Sequence, residues 1–196
     1  MIGAKRILMP DSDTKLLTRY KKGEIEALEE LVSRHGTMLM SYVSRHAKGS
    51  SDADEVFQET WLRVIKSFNS FKDKNFCGWL VRIARNIVID RSRKKKPDSS
   101  LDEAYDDGSP VRVAVSTWND ASKNVANKEL DVRIRASVDC LPIEQKDVFL
   151  MRMQADLSFK EIAKIQKVSI NTALARMQYA VNRLREELAD EYLNLG

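Results

Sequence analysis

The chain has 196 residues, of which 43% are hydrophobic and 32% charged, and its formal net charge at pH 7 is +4. These values are typical of a soluble globular protein of one large domain or two small ones. No apolar run approaches the roughly 18 residues that would indicate a membrane span.

The two cysteines, Cys77 and Cys140, lie far apart and do not form a CxxC pair. This usage indicates neither a disulfide framework nor a cysteine zinc site, and it favours a reducing compartment. The first ten residues are too short for a secretory signal. We therefore expect a cytoplasmic protein.

The first half of the chain has helical periodicity, from Asp13 to about Lys96. Glycine or small polar residues interrupt the pattern at 22–23, 48–51 and 69–75, which predicts four helices. The first part of the apolar stripe comprises Ile25, Leu28, Leu31, Val32, Leu39, Tyr42 and Val43.

Ser51 is the predicted cap of the third helix, and the fourth should run from about Phe76 to Lys95. The fourth helix carries a local excess of positive charge. Such an excess indicates either a polyanion partner or a solvated helix face, and charge alone does not decide between them. The basic residues are Arg82, Arg85, Arg91, Arg93, Lys94, Lys95 and Lys96, with only Asp90 against them.

Residues 97–127 form an acidic, turn-rich segment without helical periodicity, which predicts a flexible linker. Within it, alternating valines at Val111, Val113 and Val115 favour a short extended piece. That piece could dock on a partner or on a neighbouring domain of the same chain.

The last third is helical again, beginning with a segment from Leu130 to Asp139. Pro142 should open the next helix, because proline favours the first helical position. Ser158 and Glu161 have the spacing of a capping box, which predicts a short helix that ends near Gln166.

A tight turn at Lys167-Val168 then leads to Ser169, a good cap for a longer helix. The pattern is typical of a helix-turn-helix, whose second helix fits the DNA major groove, although a plain helical hairpin has the same layout. The predicted core stripe is Ile170, Ala173, Met177, Val181, Leu184 and Leu188. The predicted outer side carries Asn171, Thr172, Arg176, Tyr179 and Arg183.

The polar stretch 69–75 precedes an aromatic pair and the basic helix, which is the combination that a single-stranded nucleic acid requires. For Phe76 and Trp79, core packing is the favoured interpretation. The loop itself is the better candidate for base contact.

Four segments resemble one known family. Residues 52–62 (DADEVFQETWL) resemble the polymerase-binding helix of the extracytoplasmic-function (ECF) sigma factors, and residues 76–91 (FCGWLVRIARNIVIDR) are similar to their helix for promoter melting and minus-ten reading. Residues 141–150 (LPIEQKDVFL) and 157–163 (LSFKEIA) resemble the domain that reads the minus-thirty-five element. The segments also follow the order of the family.

The resemblance implies an all-α fold with two small helical domains, at 1–96 and 128–196, joined by the linker at 97–127. It implies a sigma factor that directs core RNA polymerase to specific promoters. The implied partners are the clamp of the largest polymerase subunit, the flap of the second subunit and promoter DNA, with an anti-sigma factor plausible. We expect a monomer when free, without cofactor, metal or catalysis.

Carried over by position, the resemblance assigns polymerase binding to Glu55, Gln58, Glu59 and Leu62. Its DNA-binding residues in the minus-ten region are Asn69, Lys72, Lys74, Asn75, Arg82, Asn86, Asp90 and Arg91. In the helix-turn-helix they are Ser169, Asn171, Thr172, Leu174, Ala175, Arg176 and Tyr179.

Three positions depart from the family pattern. Lys167 stands where a turn glycine is usual, Leu174 where a polar or basic residue is common, and Cys77-Gly78 where arginine and a small hydroxyl residue are usual. A lysine in a left-handed turn costs on the order of 1 kcal/mol relative to glycine, so the fold is not threatened. Leu174 and Ala175 offer DNA only apolar contacts, such as one to a thymine methyl group.

Two other functions compete with this one. A stand-alone helix-turn-helix regulator would explain the second half only, and it predicts a dimer with paired half-sites. An enzyme could use a carboxylate cluster at Asp52, Asp54, Glu55 and Glu59, but a solvated acidic face explains these residues better.

Overall fold

The computed structural model describes residues 11–47, 49–71, 75–94 and 125–193. Within these ranges the chain forms α-helices and one 3₁₀ turn but no β-strand, which confirms the predicted all-α class. None of the helices in these ranges is long and apolar enough to cross a membrane. The elements are α1 (Asp13–Lys21), α2 (Ile25–Ser44), α3 (Ser50–Ser67), the 3₁₀ turn (Phe68–Ser70), α4 (Phe76–Lys94), α5 (Val125–Asp139), α6 (Ile143–Met153), α7 (Phe159–Gln166) and α8 (Ile170–Leu193).

Helices α1 to α4 form the first domain, in which α1 packs on α2 and α3 packs on α4. Phe76 and Trp79 are 2% and 6% exposed, so the core interpretation of both aromatic residues is confirmed. The ring of Phe71 packs against them, with its centroid 5.0 Å from that of Trp79 and 5.9 Å from that of Phe76. These rings fix the start of α4 to the core and are not free platforms for bases.

Three details of the first domain and its neighbour differ from the sequence predictions. Helix α3 starts at Ser50 after Gly49, without a side-chain cap, so the predicted cap at Ser51 is wrong. Ile25 is 64% exposed, because it is the first residue of α2 and lies beyond the core. Pro142 precedes α6 as its N-cap residue, with an extended ψ of 143°, one position earlier than predicted.

Helices α5 to α8 form the second domain, and the predicted capping box at the start of α7 is confirmed. Ser158 Oγ accepts a hydrogen bond from the Glu161 backbone N–H, and the Glu161 carboxylate accepts one from the Ser158 N–H at 2.9 Å. Helix α7 ends at Gln166, as predicted. Lys167 follows in the left-handed conformation (φ 58°, ψ 43°), and the Val168 N–H donates to the Ala163 carbonyl at 3.0 Å, which closes the helix end.

Helix α8 packs on α5, α6 and α7 along one face. Ala173, Ala180 and Leu184 are buried in this face. Ile170, which the sequence assigned to the same stripe, is the first residue of the helix and is 46% exposed.

The two domains also pack directly on each other, with α4 against α7. Gly78 lies at this contact, where a Cβ atom would be at an ordinary van der Waals distance of 3.4 Å from Leu157 Cδ2. Leu157 is fully buried. The sequence predicted two domains and a linker, but it did not predict this contact.

Candidate nucleic-acid and polymerase interface

The four predicted polymerase-binding residues lie along one side of α3. Glu55 and Gln58 are exposed, and Leu62 is 55% exposed, whereas Glu59 is half-buried. Positions three and four apart share a helix face, so an apolar side chain stands beside carboxylate and amide groups here. This face of α3 therefore offers a partner protein both apolar area and hydrogen-bonding groups.

Three acidic residues of α3 bind Arg91 of α4. We call these four residues the Arg91 cluster: Asp52, Glu55, Glu59 and Arg91. Arg91 Nη1 lies 3.0 Å from Asp52 Oδ1 and 3.1 Å from Glu55 Oε2, and its Nη2 lies 3.0 Å from Glu59 Oε2. Three of the four carboxylates expected on a solvated face therefore form an ion-pair network that joins two helices, whereas Asp54 is exposed. In the described part of the chain, no group of His, Cys, Asp or Glu side chains is arranged to hold a metal ion.

Glu59 has a second cationic partner, because its Oε1 also lies 2.7 Å from Arg63 Nη2. Partial burial acts to raise the pKa of Glu59, but the hydrogen bonds and charges of Arg91 and Arg63 outweigh it and lower that pKa below its usual value. Arg91, predicted to contact DNA, and Glu59, predicted to contact polymerase, are thus partners of each other in this structure.

The loop before α4 is described only at its two ends. Asn69 is exposed in the 3₁₀ turn, whereas Lys72 and Lys74 lie outside the described residues. Asn75 caps α4 by accepting a hydrogen bond from the Gly78 N–H at 3.0 Å, and its Nδ2 donates to Glu161 Oε1 at 2.7 Å. The residue predicted to contact a base therefore already holds a carboxylate of the second domain.

Three further minus-ten candidates occupy one face of α4. Arg82, Asn86 and Asp90 follow each other at four-residue intervals, so they lie in a row, and all three are exposed. This row is about 12 Å long at 1.5 Å per residue. It offers nucleic acid a cation, an amide and a carboxylate in succession.

Helices α7 and α8 meet in the predicted helix-turn-helix arrangement. Ser169 caps α8, because its Oγ accepts a hydrogen bond from the Thr172 N–H at 3.0 Å and lies 2.9 Å from Thr172 Oγ1. Arg176 is half-buried and donates from Nη1 to Gln166 Oε1 at 2.7 Å, which ties α8 to the end of α7.

The remaining recognition-helix candidates face outward. Leu174 and Tyr179 are 44% and 64% exposed, and Asn171, Thr172 and Ala175 are also exposed. The structure thus leaves a mixed apolar and polar face at the start of α8 open to a partner. This placement agrees with the expected layout.

The sequence analysis missed a buried group of polar residues between the domains, which we call the Asp147 cluster: Tyr42, His46, Arg85 and Asp147. Asp147 is 2% exposed. Its position contained a signal, because it lies three and four residues before the buried Leu150 and Met151, on the apolar face of α6. A charged residue on such a face is rare unless a partner is present.

The comparisons with known proteins account for both halves of the chain. The family model for sigma-70 region 2 matches residues 31–97, and the model for sigma-70 region 4 matches residues 131–184. Among curated proteins, the ECF RNA polymerase sigma factor SigW of Bacillus subtilis is 28% identical over 180 residues, covering 90% of this chain and 96% of SigW. The chain belongs to the ECF sigma factors.

Other ECF sigma factors show the same extent of similarity. The sigma-E factor of Escherichia coli K12 is 27% identical over 171 residues, covering 85% of this chain and 88% of that protein. Since region 2 matches the first domain, a stand-alone helix-turn-helix regulator no longer accounts for the sequence. The chain is an RNA polymerase sigma factor.

Two solved structures share the fold of this ECF sigma factor. CnrH, solved in complex with the cytosolic domain of CnrY, superposes with a TM-score of 0.65 at 22% identity over 92% of this chain and 99% of CnrH. The sigma factor RpoE of Bartonella quintana was solved in complex with the anti-sigma factor NepR. It superposes with a TM-score of 0.61 at 18% identity, covering 83% of this chain and 96% of RpoE.

Proposed function

We propose that α3 is the surface through which this sigma factor grips core polymerase, with Leu62 as the apolar anchor and Glu55, Gln58 and Glu59 as its polar rim. The exposure of Leu62 carries the proposal, because a leucine that is 55% exposed has apolar area to bury on a partner. The clamp of the largest polymerase subunit is the proposed partner, and the flap of the second subunit would meet the second domain.

We infer that the first domain also binds the opened minus-ten DNA. The row formed by Arg82, Asn86 and Asp90 on α4 would follow the strand, while Asn69, Lys72, Lys74 and Asn75 hold an unstacked base. Binding only the open form shifts the duplex toward opening by mass action. Arg91 would contribute a phosphate contact once the Arg91 cluster is rearranged.

The helix-turn-helix would place the second domain on the minus-thirty-five duplex. Asn171 and Thr172 lie at the exposed start of α8, where side chains reach base edges and phosphates. Leu174 and Ala175 would add apolar contacts to base methyl groups, and Tyr179 would face the backbone. Ser169 and Arg176 support this face through their contacts with Thr172 and Gln166.

An anti-sigma factor is a further proposed partner, since the two solved relatives were captured with CnrY and with the anti-sigma factor NepR. We propose that the chain is a cytoplasmic monomer when free and performs no catalysis of its own. The sigma factor family is not an enzyme class, and the assignment needs no cofactor.

Co-elution of the purified protein with bacterial core polymerase tests the α3 surface. Leu62→Arg should abolish co-elution, because it places a charge in the apolar centre of the contact. Ile25→Arg is the matched control, since Ile25 is 64% exposed on α2, outside this surface. Glu59 is a poor choice for substitution, because its loss also breaks the Arg91 cluster.

If both arginine variants co-elute like the wild type, the α3 surface is not the polymerase contact. If the wild type itself fails to co-elute although it is folded, the proposed mode of action is wrong.

A further inference from the structure

Gln166, the last residue of α7, is a buried polar residue with a partner at each end of its side-chain amide. It is 8% exposed. Its Nε2 donates a hydrogen bond to the Glu144 carbonyl at 3.0 Å, and its Oε1 accepts one from Arg176 Nη1 at 2.7 Å. The amide therefore connects the start of α6, the end of α7 and the recognition helix α8. We call these three groups the Gln166 bridge: the Glu144 carbonyl, the Gln166 amide and the Arg176 guanidinium.

The chemistry of the two partners fixes the orientation of the amide. A backbone carbonyl only accepts hydrogen bonds and a guanidinium only donates them, so one orientation of Gln166 satisfies both. Turned over, the amide would place its oxygen against the carbonyl and its NH₂ group against the guanidinium, and both hydrogen bonds would be lost. The Glu144 carbonyl thus orients Gln166, and Gln166 in turn holds the guanidinium of Arg176.

The packing of α7 against α8 does not depend on this bridge alone. Ala173, Ala180 and Leu184 already bury one face of α8, and the hydrogen bond from the Val168 N–H to the Ala163 carbonyl closes the end of α7. An apolar pair would join the two helices without the entropic cost of ordering a long charged side chain. A cation held by a buried amide therefore favours a role for that cation at the protein surface.

Arg176 lies at the flank of the DNA-facing side of α8. It follows Thr172 by four residues, so both side chains lie along one side of the helix. Arg176 is half-buried, whereas Leu174 and Ala175, nearer the centre of the outer side, are exposed. When a recognition helix enters the major groove, the centre of its outer side faces base edges and its flanks face the phosphates that line the groove. The guanidinium has further N–H donors, which match the oxygens of a phosphate.

We propose that Gln166 is a positioning residue for DNA binding: it holds the Arg176 guanidinium at the flank of the recognition helix, where that group binds a phosphate of the minus-thirty-five duplex. The proposal deepens the function proposed above and rests on it. A side chain that is ordered before binding loses less conformational entropy on binding. The Gln166 bridge should therefore tighten DNA binding although Gln166 itself does not touch the DNA.

Gln166→Met tests the proposal in the full-length protein, because it keeps the approximate size of the side chain and removes both hydrogen bonds. The probe is a fluorescein-labelled duplex of about 20 base pairs and mixed sequence, because a phosphate contact does not depend on base identity. Fluorescence anisotropy should show binding weaker by about three- to tenfold. The slope of log affinity against log salt concentration should not change, since the charge of Arg176 remains. Gln145→Met is the matched control, because it makes the same chemical change beside Glu144.

A double-mutant cycle with Arg176→Ala distinguishes positioning from a merely structural role. Arg176→Ala should weaken binding and reduce the salt slope by about 1, the value for one phosphate contact. In the Arg176→Ala background, Gln166→Met should weaken binding by less than about twofold, because no guanidinium is left to position. Equal losses in both backgrounds would show that Gln166 acts only through the fold, and would overturn the proposal.

Gln166→Glu is the second variant, and it keeps the proposal testable if a circular dichroism melt shows that Gln166→Met impairs folding. The carboxylate still accepts a hydrogen bond from Arg176, but its charge cancels that of the guanidinium. The salt slope should therefore fall by up to about 1, toward that of Arg176→Ala. A salt slope equal to that of the wild type would contradict the proposed phosphate contact.

The wild-type protein separates this proposal from the function on which it rests. If the wild type binds the duplex and Gln166→Met binds it equally well, the helix-turn-helix function stands and the positioning role of Gln166 is wrong. If the folded wild type does not bind the duplex at about 50 mM salt, the proposed DNA contact of the second domain fails, and the role of Gln166 fails with it.

Discussion

Replacing Arg91 with glutamine should destabilise the first domain measurably, because one guanidinium joins α4 to three carboxylates of α3. The Arg91 side chain is 26% exposed, and those of Asp52, Glu55 and Glu59 are 23%, 64% and 33% exposed. Partly exposed ion pairs contribute about 0.2–1 kcal/mol each, so three at about 0.5 kcal/mol give about 1.5 kcal/mol. If the two domains unfold together, a loss of about 1.5 kcal/mol lowers the Tm by about 3–6 °C.

Thermal unfolding followed by far-UV circular dichroism measures the effect. Arg93→Gln is the control, because Arg93 is exposed on the same helix and its loss changes the net charge equally. The difference between the two variants should shrink in about 1 M salt, where charges are screened within about 3 Å. If the two variants differ by less than about 0.3 kcal/mol at low salt, the Arg91 cluster does not stabilise the fold.

The difference in the free energy of unfolding between Arg91→Gln and Arg93→Gln should also depend on pH. The pKa of Glu59 is lower in the folded protein than its unfolded value of about 4.3, so its contribution to stability is present above that value. Protonation of Glu59 removes the contribution as the pH falls through the folded pKa. The penalty of Arg91→Gln should therefore be constant near neutral pH and decrease below about pH 4, and a penalty that grows in acid would contradict this account.

Three other variants or sites give independent tests. Lys167→Gly should raise the free energy of unfolding by up to about 1 kcal/mol, because it removes a side chain from the left-handed turn; an unchanged or lower stability in urea would refute the cost assigned to that turn. Ser158→Ala should lower the free energy of unfolding by about 1 kcal/mol, because the Glu161 N–H loses its acceptor, Ser158 Oγ, and an unaffected urea midpoint would contradict this. Burial, followed by the negative charges of Asp13, Glu161 and Asp156, raises the pKa of Cys77 to about 12. In a Cys140→Ser background, iodoacetamide should therefore alkylate Cys77 at least about a hundredfold more slowly than an ordinary thiol at pH 8. Alkylation at an ordinary rate would show that the site opens readily.

Most of the secondary structure was predictable from local signals. The helical period, the small residues at the breaks and the Ser158–Glu161 spacing predicted the helices of both domains and the start of α7. The errors lie at element ends, as at Ser51, Ile25 and Pro142, where a shift of one residue changes which side chain caps or faces the core.

The candidate site was predicted only in part. The face of α3 and the row on α4 follow from four-residue spacing, so their exposure agrees with the sequence analysis. The pairing of Arg91 with the α3 carboxylates was not predicted, because it depends on how α3 and α4 pack. Arg176 and Asn75 likewise proved to have protein partners, Gln166 and Glu161, that no local pattern contains.

The sequence by itself determined the all-α class, the two domains and the family, because these depend on patterns that repeat within a few residues or on whole segments in a fixed order. Only the tertiary structure decided that the domains pack on each other. It also decided that Asp147 of the second domain accepts hydrogen bonds from Tyr42 and Arg85 of the first. Tyr42 and Asp147 are 105 residues apart in the chain. A contact of that kind depends on charge, burial and shape on two separately folded surfaces, and local spacing carries no information about how such surfaces meet.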